Sequence, residues 1–206
     1  MIQIGSIDEP FTRQSLYRAA VSALKLAEAM GLLPEHEVIA RLDRETMARL
    51  LDRVARAGIG RWLHAELKNP SHQDPASLEK LFEHLGAALE ESPAPAYEWP
   101  RLAEILGIDQ LAHLLRVSPS SVRRYKESAR TTPDDIAARL HFLALVVGDL
   151  AGAYNDIGIR RWFERRRALL GDRAPVDLLV QDWSPTDPGP ARVRELARSL
   201  LASPAT

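Results

Sequence analysis

The sequence predicts an all-α protein, and three observations carry that expectation. Apolar residues recur at i, i+3, i+4 through most of the chain, whereas period-two alternation is absent outside Met1–Ile4. Helix starts and stops are marked by Ser, Thr, Asp, Pro and Gly at the right places. Between Asp109 and Tyr125, DQLAHLLRVSPSSVRRY, two short amphipathic segments flank a tight turn.

Thr12 to Met30 reads as a helix with Leu16, Ala19, Ala20, Ala23, Leu24 and Ala27 on one face and Gly31 as its stop. Glu35 to Ala57 reads as a second helical region through Ile39, Leu42, Leu50, Leu51 and Val54, with Asp43 and Thr46 as an alternative start for a new helix. Gly58 and Gly60 interrupt it, Arg61 to Leu67 resumes as a short helix, and Asn69 to Pro75 is turn-rich. Ser77 to Leu89 is helical again through Leu78, Leu81, Phe82 and Leu85. Glu90 to Pro100, EESPAPAYEWP, has three prolines and no helical period, so it reads as a linker. The expected organisation is a helical N-terminal domain over 1–95, then 97–153, then a C-terminal helical domain over 154–206.

After the two short segments, Thr132 is the expected N-cap, with Pro133 first and Asp134 and Asp135 in the first turn of a long apolar helix to about Ala153. Its apolar residues lie on more than one side, so it is expected to be buried by several elements or by a second subunit, a possible homodimer contact. Asp156 to Leu170 follows, then the turn Gly171–Pro175, a short helix to Val180, the loop Gln181–Pro190 and a final amphipathic helix Ala191–Leu201.

Composition bounds the function. The chain has 206 residues, 46% apolar and 27% charged, an ordinary globular balance. It has no cysteine, which excludes disulfides and thiolate metal sites. No apolar run approaches the roughly 18 residues of a membrane span, and no signal-peptide pattern opens the chain. The expectation is a cytoplasmic protein with no membrane partner. Residues 1–95 carry 11 basic and 14 acidic side chains and residues 96–206 carry 16 and 14, so nucleic-acid contact is expected in the C-terminal half.

The segment Asp109–Tyr125 has the layout of a helix-turn-helix. Leu111, Leu114 and Leu115 form the inner face of its first helix, Arg116-Val117-Ser118 makes the turn, Ser118 is a good N-cap and Pro119 suits the first helical position. Arg116 stands where a turn glycine is common. On the second helix Val122 and Tyr125 point inward. Ser118, Ser120, Ser121, Arg123, Arg124 and Lys126 are the candidate DNA-binding residues, short polar and basic groups that can meet base edges and phosphates. Five basic residues and one acid lie between Arg116 and Arg130, a local patch in a chain of net charge −1. The plain alternative is a bundle corner with a solvated basic face.

Further on, Ile159 to Leu179, IRRWFERRRALLGDRAPVDLL, has an aromatic pair on a helix, a Leu-Gly turn, then a Pro and a Leu-Leu pair; Asp182-Trp183 and the helix from Val193 to Leu200 continue it. With the preceding helix-turn-helix and long helix, this order resembles the antitoxins of the Xre/MbcA/ParS group over about residues 97–202. Ala174-Pro175 stands where that group commonly has Thr-Pro, and Glu164-Arg165 where it often has Pro-Asn. Nothing comparable is recognised in residues 1–95.

The resemblance implies an antitoxin of a type II toxin–antitoxin system, with a helix-turn-helix that represses its own operon and a toxin-binding C-terminal domain. It implies as partners operator DNA and a cognate toxin, a RES-type enzyme that consumes NAD, encoded next door. Carried onto this chain, the toxin-binding candidates are Arg160, Arg161, Trp162, Arg165, Arg166, Trp183, Arg198 and Leu201, with Arg198–Thr206 as a segment that blocks the toxin's pocket. Read from the residues alone, Trp162 and Phe163 are packed core before they are interface, the arginine run is equally a solvated face, and loop-borne Trp183 is an interface candidate. The alternative function is a stand-alone helix-turn-helix transcription regulator without a toxin partner.

Catalysis is not expected. There is no G-x-S-x-G, no glycine loop for phosphate and no Cys/His pair. His36, His64, His72, His84, His113 and His141 show no ligand spacing, so neither a metal nor another cofactor is expected.

Overall fold

A computed structural model describes residues 3–34, 38–68, 74–180 and 182–202, with the side chains of His64, Lys68, Leu201 and Ala202 left out. Most of the expected turn Asn69–Pro75, His36, His72, Gln181 and the end of the tail therefore lie outside the described residues. The chain divides into two compact units, Met1–Ser92 and Pro93–Thr206.

The first unit is not purely helical. Strand β1 (Gln3–Ile7) pairs in parallel with β2 (Val38–Leu42), in register Ile4 with Ile39 and Ser6 with Arg41, across helix α1 (Gln14–Ala29). The helical reading of Glu35–Ala57 is thus corrected over Val38–Leu42. The stretch VIARL opens on β-branched residues and buries only Ile39 and Leu42, a pattern too short to show a period. The alternative helix start at Asp43 is the observed one. The Asp43 carboxylate accepts from Thr46 N at 2.8 Å and caps α2 (Arg44–Arg56). That backbone hydrogen bond holds the Asp43 pKa below its ordinary value.

Helices α3 (Arg61–Lys68) and α4 (Pro75–Glu91) complete the unit. α1 packs chiefly on α4, with Leu16, Ala20 and Ala23 of the one and Leu78, Phe82 and Leu85 of the other buried, and the Phe11 and Phe82 rings lie 5.8 Å apart.

The second unit begins inside the expected linker. Only Ser92–Ala94 separate α4 from α5 (Pro95–Leu106), and Trp99, Leu102, Ile105 and Leu106 of α5 are buried. Prolines misled here because Pro95 occupies the first turn, where a missing N–H costs nothing, and Pro100 is an exposed interior position. α6 (Ile108–Leu115) and α7 (Pro119–Lys126) follow, then α8 (Asp134–Leu150), α9 (Asp156–Glu164), single 3-10 turns at Ala168–Leu170 and Pro175–Leu178, and α10 (Pro188–Ala202).

α8 is the core of this unit, flanked by α5, α6 and α10. Leu140, Leu143, Ala144, Val146 and Leu150 are all fully buried within this single chain, in keeping with the first of the two alternatives, burial of α8 by several elements. Thr132 does not cap α8. Pro133 precedes its first turn, and the Thr132 hydroxyl instead accepts from Trp99 Nε1 at 2.9 Å. A buried acid also sits on this core, with Glu98 Oε1 2.6 Å from His141 Nδ1. The described part is thus 67% helical with one short two-stranded sheet, and no helix in it is long and apolar enough to cross a membrane.

Candidate nucleic-acid interface

α6 ends in a left-handed turn. Val117 N donates to Ala112 O and Arg116 N to His113 O, which together close the last turn in the six-to-one and five-to-two pattern usually built around glycine. Arg116 holds the left-handed position at φ 58°, ψ 40°, which costs a side-chain-bearing residue about 1 kcal/mol. Its guanidinium offsets that cost. Arg116 Nε donates to Leu179 O at 2.8 Å, and Nη2 reaches Val176 O at 3.4 Å. A glycine would ease the turn and lose this tie to the chain 60 residues on.

The second helix is set by its cap. Ser118 Oγ accepts from Ser121 N at 3.1 Å and lies 2.9 Å from the hydroxyls of both Ser120 and Ser121. Pro119 sits in the first turn, as the cap pattern requires. Inside, Val122 is fully buried, and Tyr125 stacks on Trp99 with ring centroids 5.1 Å apart and planes 17° from parallel. α7 ends as α6 does, on a left-handed residue that is not glycine: Ser128 at φ 56°, with Ala129 N donating to Arg124 O.

This anchoring leaves one face to water. Ser118, Ser120, Arg123, Arg124 and Lys126 are exposed and Ser121 is half-buried. Arg123, Arg124 and Lys126 form no ion pair with an acid among the described residues, so their charges are available to a ligand. The Arg130 guanidinium lies 5.5 Å from the Tyr125 ring centroid, at the end of the same helix. The six candidates chosen from sequence therefore fall on one short, rigidly seated helix and the turn before it.

The second candidate group divides. Arg161, Arg165 and Arg166 are exposed. Arg198 is half-exposed, with Nε 3.8 Å from Asp149, and the side chain of Leu201 lies outside those described. Trp162 and Trp183 are buried instead, and Arg160, though exposed, is bonded within its own unit. Arg160 Nε donates to Ile105 O and its Nη2 to Glu104 O at 2.9 Å, which supplies donors to the carbonyls at the end of α5. Trp162 is buried edge-on against Phe163 at 5.3 Å, with the Arg167 guanidinium over its ring.

Trp183 is buried against Phe142, and its indole N–H donates to Leu114 O at 3.0 Å, near the end of α6. Its proline-rich surroundings read as surface because proline breaks the helical period. The indole itself is a plug and a helix-end donor. The resemblance also places Leu169 in the toxin-binding domain. Leu169, 74% exposed on a 3-10 turn pinned by Arg192 Nη2 at its carbonyl, is the most accessible large apolar side chain among the described residues of this unit. The pair Leu169-Leu170 before Gly171 is split by the turn, which buries Leu170 and leaves Leu169 open.

Among the described residues no group of His, Asp and Glu is arranged to hold a metal ion. No family model, curated protein or solved structure matches this chain.

Proposed function

We propose that this protein is a DNA-binding repressor that reads double-stranded DNA with α7, and that it serves as the antitoxin of a toxin–antitoxin pair. The observation that carries the DNA reading is the outward face of α7, where Ser120, Arg123, Arg124 and Lys126 are exposed without acidic partners while Val122 and Tyr125 lock the helix onto the core. A helix so seated presents its polar edge to a major groove, and its cations displace condensed counterions from phosphates.

The test is a titration of the chain's own promoter fragment at several salt concentrations. Replacing Arg123 and Arg124 by alanine is expected to cost about 1–3 kcal/mol for a base contact and to lower the slope of log K against log salt by about 1 for each lost phosphate contact. Unchanged affinity and slope in a folded double variant would sink this reading.

The antitoxin part rests on the sequence pattern of Ile159–Leu179. Of the toxin-binding candidates in that segment, Arg161, Arg165 and Arg166 are the ones that are exposed and engaged by no described partner. Deleting residues 155–206 would remove Trp162 and Trp183 from the core, so neutralisation is tested by Arg161→Glu, Arg165→Glu and Arg166→Glu together, co-expressed with the adjacent gene product. Loss of neutralisation with retained promoter binding is the expected result. The second reading, a stand-alone regulator, is favoured by the internal engagement of Arg160, Trp162 and Trp183.

A further inference from the structure

The parallel pair β1–β2 is unusually bare. Parallel sheets are ordinarily covered on both faces, and two strands alone are marginal in water. Here Gln3, Gly5, Ser6 and Ile7 of β1 and Val38, Ala40 and Arg41 of β2 are exposed. Asp8 N donates to Leu42 O and the register pairs Ile4 with Ile39 and Ser6 with Arg41. The even-numbered residues of β1 therefore turn their backbone groups toward β2, and Gln3, Gly5 and Ile7 turn theirs away. No hydrogen bond leaves that outer edge among the described residues.

We propose that β1 is a homodimer interface, in which it pairs antiparallel with β1 of a second copy across a two-fold axis at Gly5. Native edge strands are guarded by charge, proline or a bulge. β1 has none of these: QIGSI is uncharged throughout, and Asp8 beyond it is engaged by Arg41 at 3.4 Å. Nothing in the strand repels a second copy of itself, and nothing in it selects a charged partner. Gly5 comes so close to β2 that a Cβ would stand 2.8 Å from Ala40 O, and with no side chain it also leaves the midpoint of the edge unshaded.

Antiparallel pairing about Gly5 sets Gln3 of one copy opposite Ile7 of the other and Gly5 opposite itself. Directly opposed residues with outward groups exchange both N–H to C=O bonds, so every open group at Gln3, Gly5 and Ile7 is satisfied. The half-exposed Ile7 is covered at the same time. This interface is read from the first unit alone and stands whether or not α7 binds DNA.

The test uses the full chain and light scattering after size exclusion. Wild type is expected at twice the mass of one chain. Gln3→Lys with Ile7→Lys sets lysine opposite lysine at both ends of the pairing and is expected to run at half that mass. Gln3→Lys with Ile7→Glu sets lysine opposite glutamate in this register and is expected to restore the dimer. Both variants make the same demand on the strand, so a general folding defect would affect them alike, and far-ultraviolet circular dichroism checks each. A monomeric wild type overturns the proposal, as does a double-lysine variant that stays dimeric or a lysine–glutamate variant that does not recover.

Discussion

α7 and the α9-to-α10 region are both rich in cations, and they use them in opposite ways. On α7 the basic residues Arg123, Arg124 and Lys126 extend into solvent from a helix whose inner face is fixed by Val122 and Tyr125. In the later region Arg160 is bonded to the carbonyls ending α5, Arg167 lies over Trp162, Arg192 holds Leu169 O, and Arg194 approaches Asp149 at 3.8 Å. The difference comes from helical phase. α7 turns Arg123 and Arg124 away from its two buried residues and carries Lys126 at its exposed end, whereas Arg160 stands beside buried Ile159 at the seam with α5. An arginine run is thus no single feature, since each guanidinium works where its Cβ points.

That contrast makes the later region a framework and α7 the presented surface, and it can be broken. Trp183→Ala should have the largest effect, about 3–5 kcal/mol from a vacated indole site, with Leu114 O left without its donor. Thermal denaturation followed by circular dichroism would show it as the loss of the second unit's transition at 37 °C or a large drop in its midpoint. A near-neutral outcome would return Trp183 to the surface role its loop implied.

Arg160→Ala should cost about 1.5–3 kcal/mol, the range for hydrogen bonds from a charged donor. Arg166→Ala, six residues away and exposed, should stay within about 0.5 kcal/mol. Urea midpoints of the two side by side decide whether the run is divided as described; equal values would erase the distinction. Arg123→Ala and Arg124→Ala belong with Arg166 on this scale and should leave the midpoint unchanged.

The finest prediction concerns Arg116. Arg116→Ala keeps the left-handed strain and loses the bonds to Leu179 O and Val176 O, while Arg116→Gly loses the bonds and relieves the strain. The glycine variant should therefore be the more stable of the two by about 1 kcal/mol. If alanine and glycine unfold at the same urea concentration, the turn is not strained.

The α6–turn–α7 segment was legible because its signals are local. Ser118 bonds three residues ahead, Pro119 occupies the first turn, and the apolar spacing of α6 fits within two turns. The buried positions of α1, α4 and α8 were legible for the same reason. What escaped were features made by residues far apart in sequence. β2 is defined by pairing with β1 across the intervening α1, and five residues are too few to show alternation. α5 was hidden by prolines whose position in the helix, not their number, decides their effect. Arg160 and Trp183 carry the chemistry of an interface, and only their distant partners at Ile105 and Leu114 show that their capacity is already used, whereas the burial of Trp162 is what its residue type favours.

Trp183 and Arg116 have a last consequence, for inheritance. A DNA-reading motif is often pictured as a cassette that recombination can lift from one gene to another. Here the turn of the cassette is bolted to Leu179 O and the end of its first helix to an indole 69 residues downstream. A crossover between α8 and α9 would deliver α7 with its fastenings missing. The heritable piece is the whole stretch from Pro93 through α10, and under the proposed DNA reading a new specificity would arise by substitution on the outer face of α7 rather than by exchange of the motif.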